Sequence, residues 1–133
     1  MIADANALLA LVLPDRPGAA AAIVEMSAKA SCARAERIRV TEPALVEIAW
    51  VLRSRYGLRP QEVVAAIDGV LSTPGVEAIE PVRARDALRL MSEVPALSFA
   101  DCLLLETALE RGESVLSFDR RLAKTALTYV ALG

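Results

Sequence analysis

Apolar residues follow two spacings along the chain, and each spacing predicts a different element. Short, mainly apolar stretches bounded by turn residues predict strands. The predicted strands are residues 1–5, "RIRVT", "VEAI", "SVLSF" and "TYVAL". Apolar residues that recur three and four positions apart predict helices between these strands. The predicted helices are residues 6–13, 19–35, 41–57, 60–73, 80–94, 98–112 and 120–126.

This alternating order of strands and helices predicts an α/β/α sandwich around a central, mostly parallel sheet. The length of 133 residues suits one core, so we expect residues 1–133 to form a single domain. In such sheets, ligands bind beyond the carboxyl ends of the strands. Asp4 lies at the C-terminal end of the first predicted strand and Asp119 directly follows the fourth, and we therefore expect both near a ligand site.

Composition narrows the chemistry that the chain could perform. The net charge of −2 argues against a broadly basic nucleic-acid-binding surface, and the absence of histidine removes imidazole bases and ordinary zinc sites. Cys32 and Cys102 lack a metal-site spacing and are expected to be reduced thiols. The N-terminal apolar run is interrupted by Asp4 and stopped by Pro14, so we predict no signal peptide or membrane span and a cytoplasmic location.

Four acidic residues stand in apolar surroundings, unlike most of the 17 in the chain. Asp4 follows "MIA", and Glu47 has apolar neighbours at most helical spacings. Asp101 forms an S-x-x-D capping box with Ser98, and Asp119 precedes a helix that it could cap. Helix caps, strand ends or an exposed stripe would explain each acid singly. Together they predict carboxylates that converge on one edge of the sheet.

Convergence of these four carboxylates would require either that some of them are protonated or that a cation neutralises them. At about 6 Å and an effective dielectric near 20, each pair of like charges costs roughly 3 kcal/mol. Six such pairs exceed the usual stability of a domain, which is about 5 to 15 kcal/mol. A ligand set made only of oxygen favours Mg²⁺ or Mn²⁺. Asp4, Glu47, Asp101 and Asp119 are therefore predicted metal ligands.

The sequence resembles the PIN domain, in particular the VapC-type ribonuclease toxins of toxin–antitoxin pairs. The resemblance is carried, in chain order, by "MIADANALL", "TEPALVEIAWVL", "LSFADCLLLETAL" and "VLSFDRRL". It implies a Mg²⁺- or Mn²⁺-dependent endoribonuclease whose catalytic acids match Asp4, Glu47, Asp101 and Asp119. It also implies a homodimer that is inhibited by a small cognate antitoxin protein.

Residues beside the acids are assigned supporting roles in phosphodiester hydrolysis. Asn6 and Ser117 could orient ligand waters, or could be cap and turn residues. Three basic residues after Asp119 could contact RNA phosphates or could simply be solvated helix charges. These residues are Arg120, Arg121 and Lys124. The aromatic residues Trp50, Tyr56 and Phe99 are expected in the core or an interface rather than as base-stacking platforms.

Two other functions fit parts of the same pattern. A phospho-acceptor receiver domain would share the length and the acids at strand ends, but it requires an acidic pair where this chain has Asp4, Ala5 and Asn6. It would also leave Glu47 without a role. A non-catalytic PIN-like binding module would keep the acids and act only by docking a partner, and the sequence leaves that alternative open.

Overall fold

The computed structural model describes residues 1–13 and 37–132, together with 18, 19, 21, 22, 25, 26 and 28. The chain divides into two compact units, Met1–Pro81 and Val82–Gly133. The first unit combines strands and helices. The second contains helices and irregular segments in its described part.

The first unit is built around a parallel pair of strands. Its elements are α1 (Ala5–Val12), β1 (Ile38–Val40), α2 (Glu42–Ser54), α3 (Pro60–Leu71) and β2 (Val76–Ala78). β1 and β2 pair in parallel with Ile38 opposite Val76. The N-terminal residues run beside β1, because the Arg39 amide donates to the Met1 carbonyl at 2.7 Å and the Ala3 amide donates to the Arg39 carbonyl at 3.1 Å.

Helical periodicity accounts for the core of this unit. In α3, Val63, Ile67 and Val70 recur on one face and are at most 1% exposed.

Pro60 begins this helix, where a missing amide proton costs nothing. Thr41 begins α2, because its hydroxyl accepts the Ala44 amide at 3.3 Å. The helix therefore starts directly after β1.

The second unit contains α4 (Pro81–Glu93, which begins on the last residue of the first unit), α5 (Phe99–Arg111) and α6 (Arg120–Leu132). An ion pair of 2.9 Å joins Arg83 of α4 to Glu110 of α5. Gly112 ends α5 in the left-handed conformation, with φ of 65°, which a residue without a Cβ adopts at little cost.

The α/β class is confirmed by the parallel sheet and the helices that accompany it. Strands at "RIRVT" and "VEAI" are confirmed with shorter bounds, as are the helices predicted from residues 41, 60, 80 and 98, and the helix predicted for residues 6–13 is confirmed one residue earlier. The first predicted strand is reduced to a single bridge between Ile2 and Arg39. The helix predicted for residues 19–35 lies mostly outside the described residues, although those described between 19 and 28 are helical.

Two predicted strands are wrong. "SVLSF" has no regular structure, because within the described residues it pairs with no strand, and an extended segment needs a partner for its backbone groups. "TYVAL" is the end of α6. Leu122, Ala126 and Val130 recur every four residues with no glycine or proline between them, so the helix predicted to stop at residue 126 continues through the β-branched residues.

Candidate active site

Asp4 lies at the N-terminus of α1 and caps it. Its Oδ1 accepts the Ala7 amide at 2.8 Å, and its backbone is extended, as expected of a residue between a strand-like segment and a helix. Its neighbours in the sequence suggested apolar surroundings, but the residue is exposed. Its apolar neighbours Leu8 and Leu9 turn inward with the helix. Water and the Ala7 amide therefore stabilise this carboxylate.

Glu47 lies in the middle of α2, and it too is exposed. Its sequence neighbours suggested apolar surroundings, but Pro43 and Trp50 on the same helical face are themselves exposed, while Ala44 and Ile48 face the core. Helical side chains lean toward the N-terminus of their helix. Glu47 therefore leans toward the end of β1, the edge at which Asp4 follows its own strand-like segment.

Asp101 occupies the first turn of α5, where it completes the predicted capping box. The Ser98 hydroxyl accepts the Asp101 amide at 3.1 Å, and Asp101 Oδ2 accepts the Ser98 amide at 3.3 Å. Each side chain thus satisfies one backbone donor at the start of the helix. Asp101 is half-buried. The capping function that the sequence suggested for this acid is confirmed.

Asp119 begins α6 in the same manner as Asp4 begins α1. Its Oδ1 accepts the amides of Arg121 at 2.9 Å and Leu122 at 3.1 Å. The Ser117 hydroxyl accepts the Asp119 amide at 3.0 Å. Ser117 is therefore the turn residue that its sequence position suggested, and it fixes the backbone from which the Asp119 carboxylate projects.

In each of the three aspartates, only one of the two carboxylate oxygens accepts hydrogen bonds from the described residues. In each, one oxygen accepts backbone amides at a helix start, and the other accepts no hydrogen bond from a described residue. Glu47 has no hydrogen bond or ion pair to the described part of the chain. Exposed carboxylate oxygens are hard donors of the type that Mg²⁺ and Mn²⁺ prefer. The donor chemistry therefore fits a hard divalent ion.

Each unit supplies one pair of the predicted ligands, Asp4 and Glu47 in the first and Asp101 and Asp119 in the second. Among the described residues, no group of three or more histidine, cysteine, aspartate or glutamate side chains is placed to hold a metal ion. The grouping of all four acids around one ion thus remains a prediction.

The residues assigned to supporting roles are on the surface. Asn6 is exposed in α1, and the three basic residues of α6 are exposed and form no ion pair with the described residues. These are Arg120, Arg121 and Lys124. Their proximity in sequence to Asp119 places positive charge at the start of α6.

Cys102 adds no metal-binding chemistry to this region. The thiol is buried, and burial raises its pKa to about 12, with the nearby charges of Asp101 and Glu106 adding to the effect. It is therefore protonated at neutral pH, whereas metal binding requires the thiolate. The other cysteine of the chain, Cys32, lies outside the described residues.

Sequence reasoning missed a buried carboxyl in α5. Glu106 is 5% exposed and accepts a hydrogen bond from the Tyr129 hydroxyl of α6. The signal was available, because Glu106 follows Leu103, Leu104 and Leu105 directly. Of the three aromatic residues expected in the core or an interface, Phe99 is in the core at 1% exposed, whereas Trp50 is 59% and Tyr56 is 49% exposed.

Comparison with known protein families identifies the family to which this chain belongs. Residues 1–127 match the PIN domain, so the chain belongs to the PIN domain family. PIN domains have an α/β/α fold and are in general nucleases, and the matched range contains all four candidate acids. No curated protein matches the chain. None of the helices in the described residues is both long and apolar enough to cross a membrane.

Proposed function

We propose that the chain is a metal-dependent endoribonuclease of the VapC type, the toxin of a type II toxin–antitoxin pair. The observation that carries this proposal is the PIN domain match across residues 1–127, which includes Asp4, Glu47, Asp101 and Asp119. The sequence resemblance described above supplies the VapC subtype. RNA phosphodiesters are the proposed substrate.

The four acids are the proposed ligands of Mg²⁺ or Mn²⁺. Three of them keep one oxygen on a helix start, which fixes the direction of the other without a further partner. A divalent ion held there supplies charge stabilisation at the scissile phosphate and lowers the pKa of a water molecule. PIN domain nucleases typically use such ions, and the oxygen donors of this chain are chemically suited to them.

The remaining residues position the RNA. Arg120, Arg121 and Lys124 present positive charge beside Asp119 and would bind phosphates as charged hydrogen-bond donors. Asn6 and Ser117 have polar groups near Asp4 and Asp119 that could orient water. Because the chain has no histidine, protons must pass to carboxylates or to solvent.

Partners and location follow from the resemblance. We propose that the protein acts in the cytoplasm as a homodimer, cleaves RNA, and is held inactive by a cognate antitoxin protein. A small protein encoded nearby should co-purify with the chain if this is correct, and its removal should release ribonuclease activity.

The test is RNA cleavage by purified, antitoxin-free protein with Mg²⁺ or Mn²⁺ and with EDTA. Asp4→Asn and Asp101→Gln are chosen because asparagine still caps a helix and glutamine still completes a capping box. Each substitution removes a charge while the helix start is kept. We expect cleavage by the wild type only with metal, and a loss of about a hundredfold or more in each variant, since a metal ion contributes several kcal/mol.

Glu93→Gln is the matched control. Glu93 is an exposed acid at the end of α4, outside the proposed site, and its replacement should leave cleavage unchanged. Equal cleavage by wild type, Asp4→Asn and Asp101→Gln would refute the assigned acids. Binding of a partner with no cleavage of any RNA in either metal would instead identify a non-catalytic binding module.

A further inference from the structure

The turn between α2 and α3 concentrates positive charge on a chain that is acidic overall. Residues 48–61 contain three arginines and no aspartate or glutamate, whereas the net charge of the chain is −2. The arginines are Arg53, Arg55 and Arg59, and all three are exposed. A local excess of positive charge attracts polyanions even when the average charge is negative.

The backbone of this turn is fixed by hydrogen bonds. α2 ends where the Leu58 amide donates to the Leu52 carbonyl at 3.0 Å, with Gly57 in the left-handed conformation at φ of 64°. Glycine adopts this conformation readily at a helix end, and the hydrogen bond is anchored at Leu52, which is fully buried. Arg55 and Tyr56 therefore project from a defined turn.

Two of the three arginines are available for a ligand. Arg59 is occupied, because its Nε donates to Glu62 Oε1 at 3.0 Å and its backbone amide donates to the same oxygen at 3.0 Å. The guanidinium groups of Arg53 and Arg55 form no hydrogen bond or ion pair to the residues that the structure describes, although the backbone amide of Arg55 donates to the Val51 carbonyl. Their charges are thus not neutralised within the described chain.

Aromatic surface accompanies this charge. Trp50 is 59% exposed and lies one helical turn beyond Glu47 on the same face of α2. Tyr56 is 49% exposed and follows the end of the helix. Trp50 is the only tryptophan in the chain, and an indole that remains largely in water is not explained by the core of this unit.

We propose that Trp50, Arg53, Arg55 and Tyr56, which we call the Trp50 platform, bind single-stranded RNA beside Glu47. The proposal rests on the ribonuclease function above and specifies its substrate as unpaired RNA. Aromatic rings stack on exposed bases, and arginines contact the phosphates between them. A protein partner would also suit exposed aromatic rings, but two arginine side chains that pair with no acid among the described residues favour a polyanion.

The fluorescence of Trp50 gives a direct readout of occupancy. Full-length protein in EDTA is titrated with a short single-stranded RNA of mixed sequence, so that binding is measured without cleavage. Stacking should quench the emission of the single tryptophan. With two arginines on phosphates, the logarithm of the association constant should fall against the logarithm of salt concentration with a slope of about −1.4 from this platform.

Substitutions test each part of the platform by an independent binding measurement, such as anisotropy of labelled RNA. Trp50→Ala should weaken binding about 5- to 150-fold, the range expected for one stacked base, while Trp50→Phe should retain most of the affinity. Arg53→Gln with Arg55→Gln should reduce the salt dependence by about 1.4. Arg37→Gln with Arg39→Gln, which removes two charges elsewhere in the same unit, should change both quantities less.

The outcomes separate this proposal from the ribonuclease function. Unchanged Trp50 emission together with wild-type affinity in Trp50→Ala would overturn the platform and favour a protein occupant, even if metal-dependent cleavage is observed. Duplex RNA binding as tightly as single-stranded RNA would also overturn it. Quenching in EDTA that persists in Asp101→Gln supports the platform. If the wild type shows quenching in EDTA but cleaves no RNA with Mg²⁺ or Mn²⁺, the nuclease function is refuted and the platform is still supported.

Discussion

Two regions of the molecule have a similar sequence pattern but differ in the backbone pairing of their apolar residues. Residues 1–12 and residues 114–132 each run from apolar residues through an aspartate into a helix. In the first region, backbone hydrogen bonds tie the apolar residues to β1 through the bridge between Ile2 and Arg39. In the second, residues 114–118 join no ladder within the described residues, and Leu116 and Phe118 are 92% and 99% exposed.

Buried side chains of α6 hold the second region, whereas the first region has both backbone pairing with β1 and the buried Leu8 and Leu9 of α1. Leu122 and Ala126 of α6 are buried, and Tyr129 donates a hydrogen bond to the buried Glu106 of α5. The aspartate cap forms in both regions, because it depends on a few adjacent residues. Strand pairing forms in only one, because it depends on a distant partner. The comparison therefore separates local from non-local determinants of structure.

The largest effects are expected where the two regions agree, at the capping aspartates. Asp4→Ser and Asp119→Ser each retain a side-chain oxygen that caps the helix, while the charge and the second oxygen are lost. If the proposed function is correct, RNA cleavage should fall about a hundredfold or more in both variants, since a bound metal contributes several kcal/mol. Cleavage assays with Mn²⁺ and thermal unfolding measure the two properties.

The midpoint of unfolding should change little in these serine variants, and Asp4→Ala and Asp119→Ala are the comparison. Alanine removes the cap as well, which costs about 1 kcal/mol. A serine variant that cleaves RNA like the wild type would show that its aspartate serves only as a helix cap.

The second prediction concerns what anchors α6. Tyr129→Phe removes the hydroxyl and leaves the buried Glu106 carboxyl without that donor, which should lower the free energy of unfolding by about 1 to 3 kcal/mol. Urea unfolding of the two proteins gives the difference. Tyr56→Phe is the matched control, since that tyrosine is 49% exposed and should change stability by less than about 0.5 kcal/mol. Equal effects of the two substitutions would contradict the anchoring role.

Glu106 should also make the stability of the chain dependent on pH. Burial raises the pKa of Glu106 above its ordinary value near 4.5, and Asp86 and Glu93 add to this effect, while the hydrogen bond from Tyr129 and the charge of Arg89 oppose it. The folded state therefore binds more protons than the unfolded state as pH rises above 4.5. The contribution of Glu106 to the free energy of unfolding therefore falls as the pH rises from about 4.5 through the raised pKa of the folded state.

Glu106→Gln tests this dependence, because glutamine keeps an acceptor for Tyr129 and does not titrate. The stability of the variant relative to the wild type should increase from about pH 4 to pH 7. Urea unfolding at several pH values measures the relation. A difference that stays constant, or that shrinks with rising pH, would show that Glu106 is not held with a raised pKa.

Sequence reasoning was accurate where structure is local. Pro60, Thr41, Gly112 and the pair of Ser98 and Asp101 mark helix ends that the structure confirms. These signals act through hydrogen bonds or backbone angles within a few residues. The α/β class was also predictable, because two of the predicted strands pair in parallel in the first unit.

The sequence predictions were wrong where the structure depends on contacts between residues far apart in the chain. "SVLSF" has a strand composition, but composition does not supply a pairing partner. Asp4 and Glu47 have apolar neighbours in sequence, yet both are exposed, because a helix turns neighbours to opposite sides. Whether the four acids share an ion depends on contacts between residues far apart in the chain. The sequence alone identifies the candidates for that site and leaves their distances open.

The smallest effect is expected at Phe118, where the two regions differ most. Phe118 is 99% exposed, so Phe118→Ser removes almost no buried apolar surface and should change the free energy of unfolding by less than about 0.5 kcal/mol. Ile38→Ala, in the paired strand β1, is the contrast, since Ile38 is 1% exposed and its truncation should cost about 2 to 5 kcal/mol. Urea unfolding measures both. A loss of more than about 1 kcal/mol in Phe118→Ser would mean that the Phe118 side chain is buried in solution.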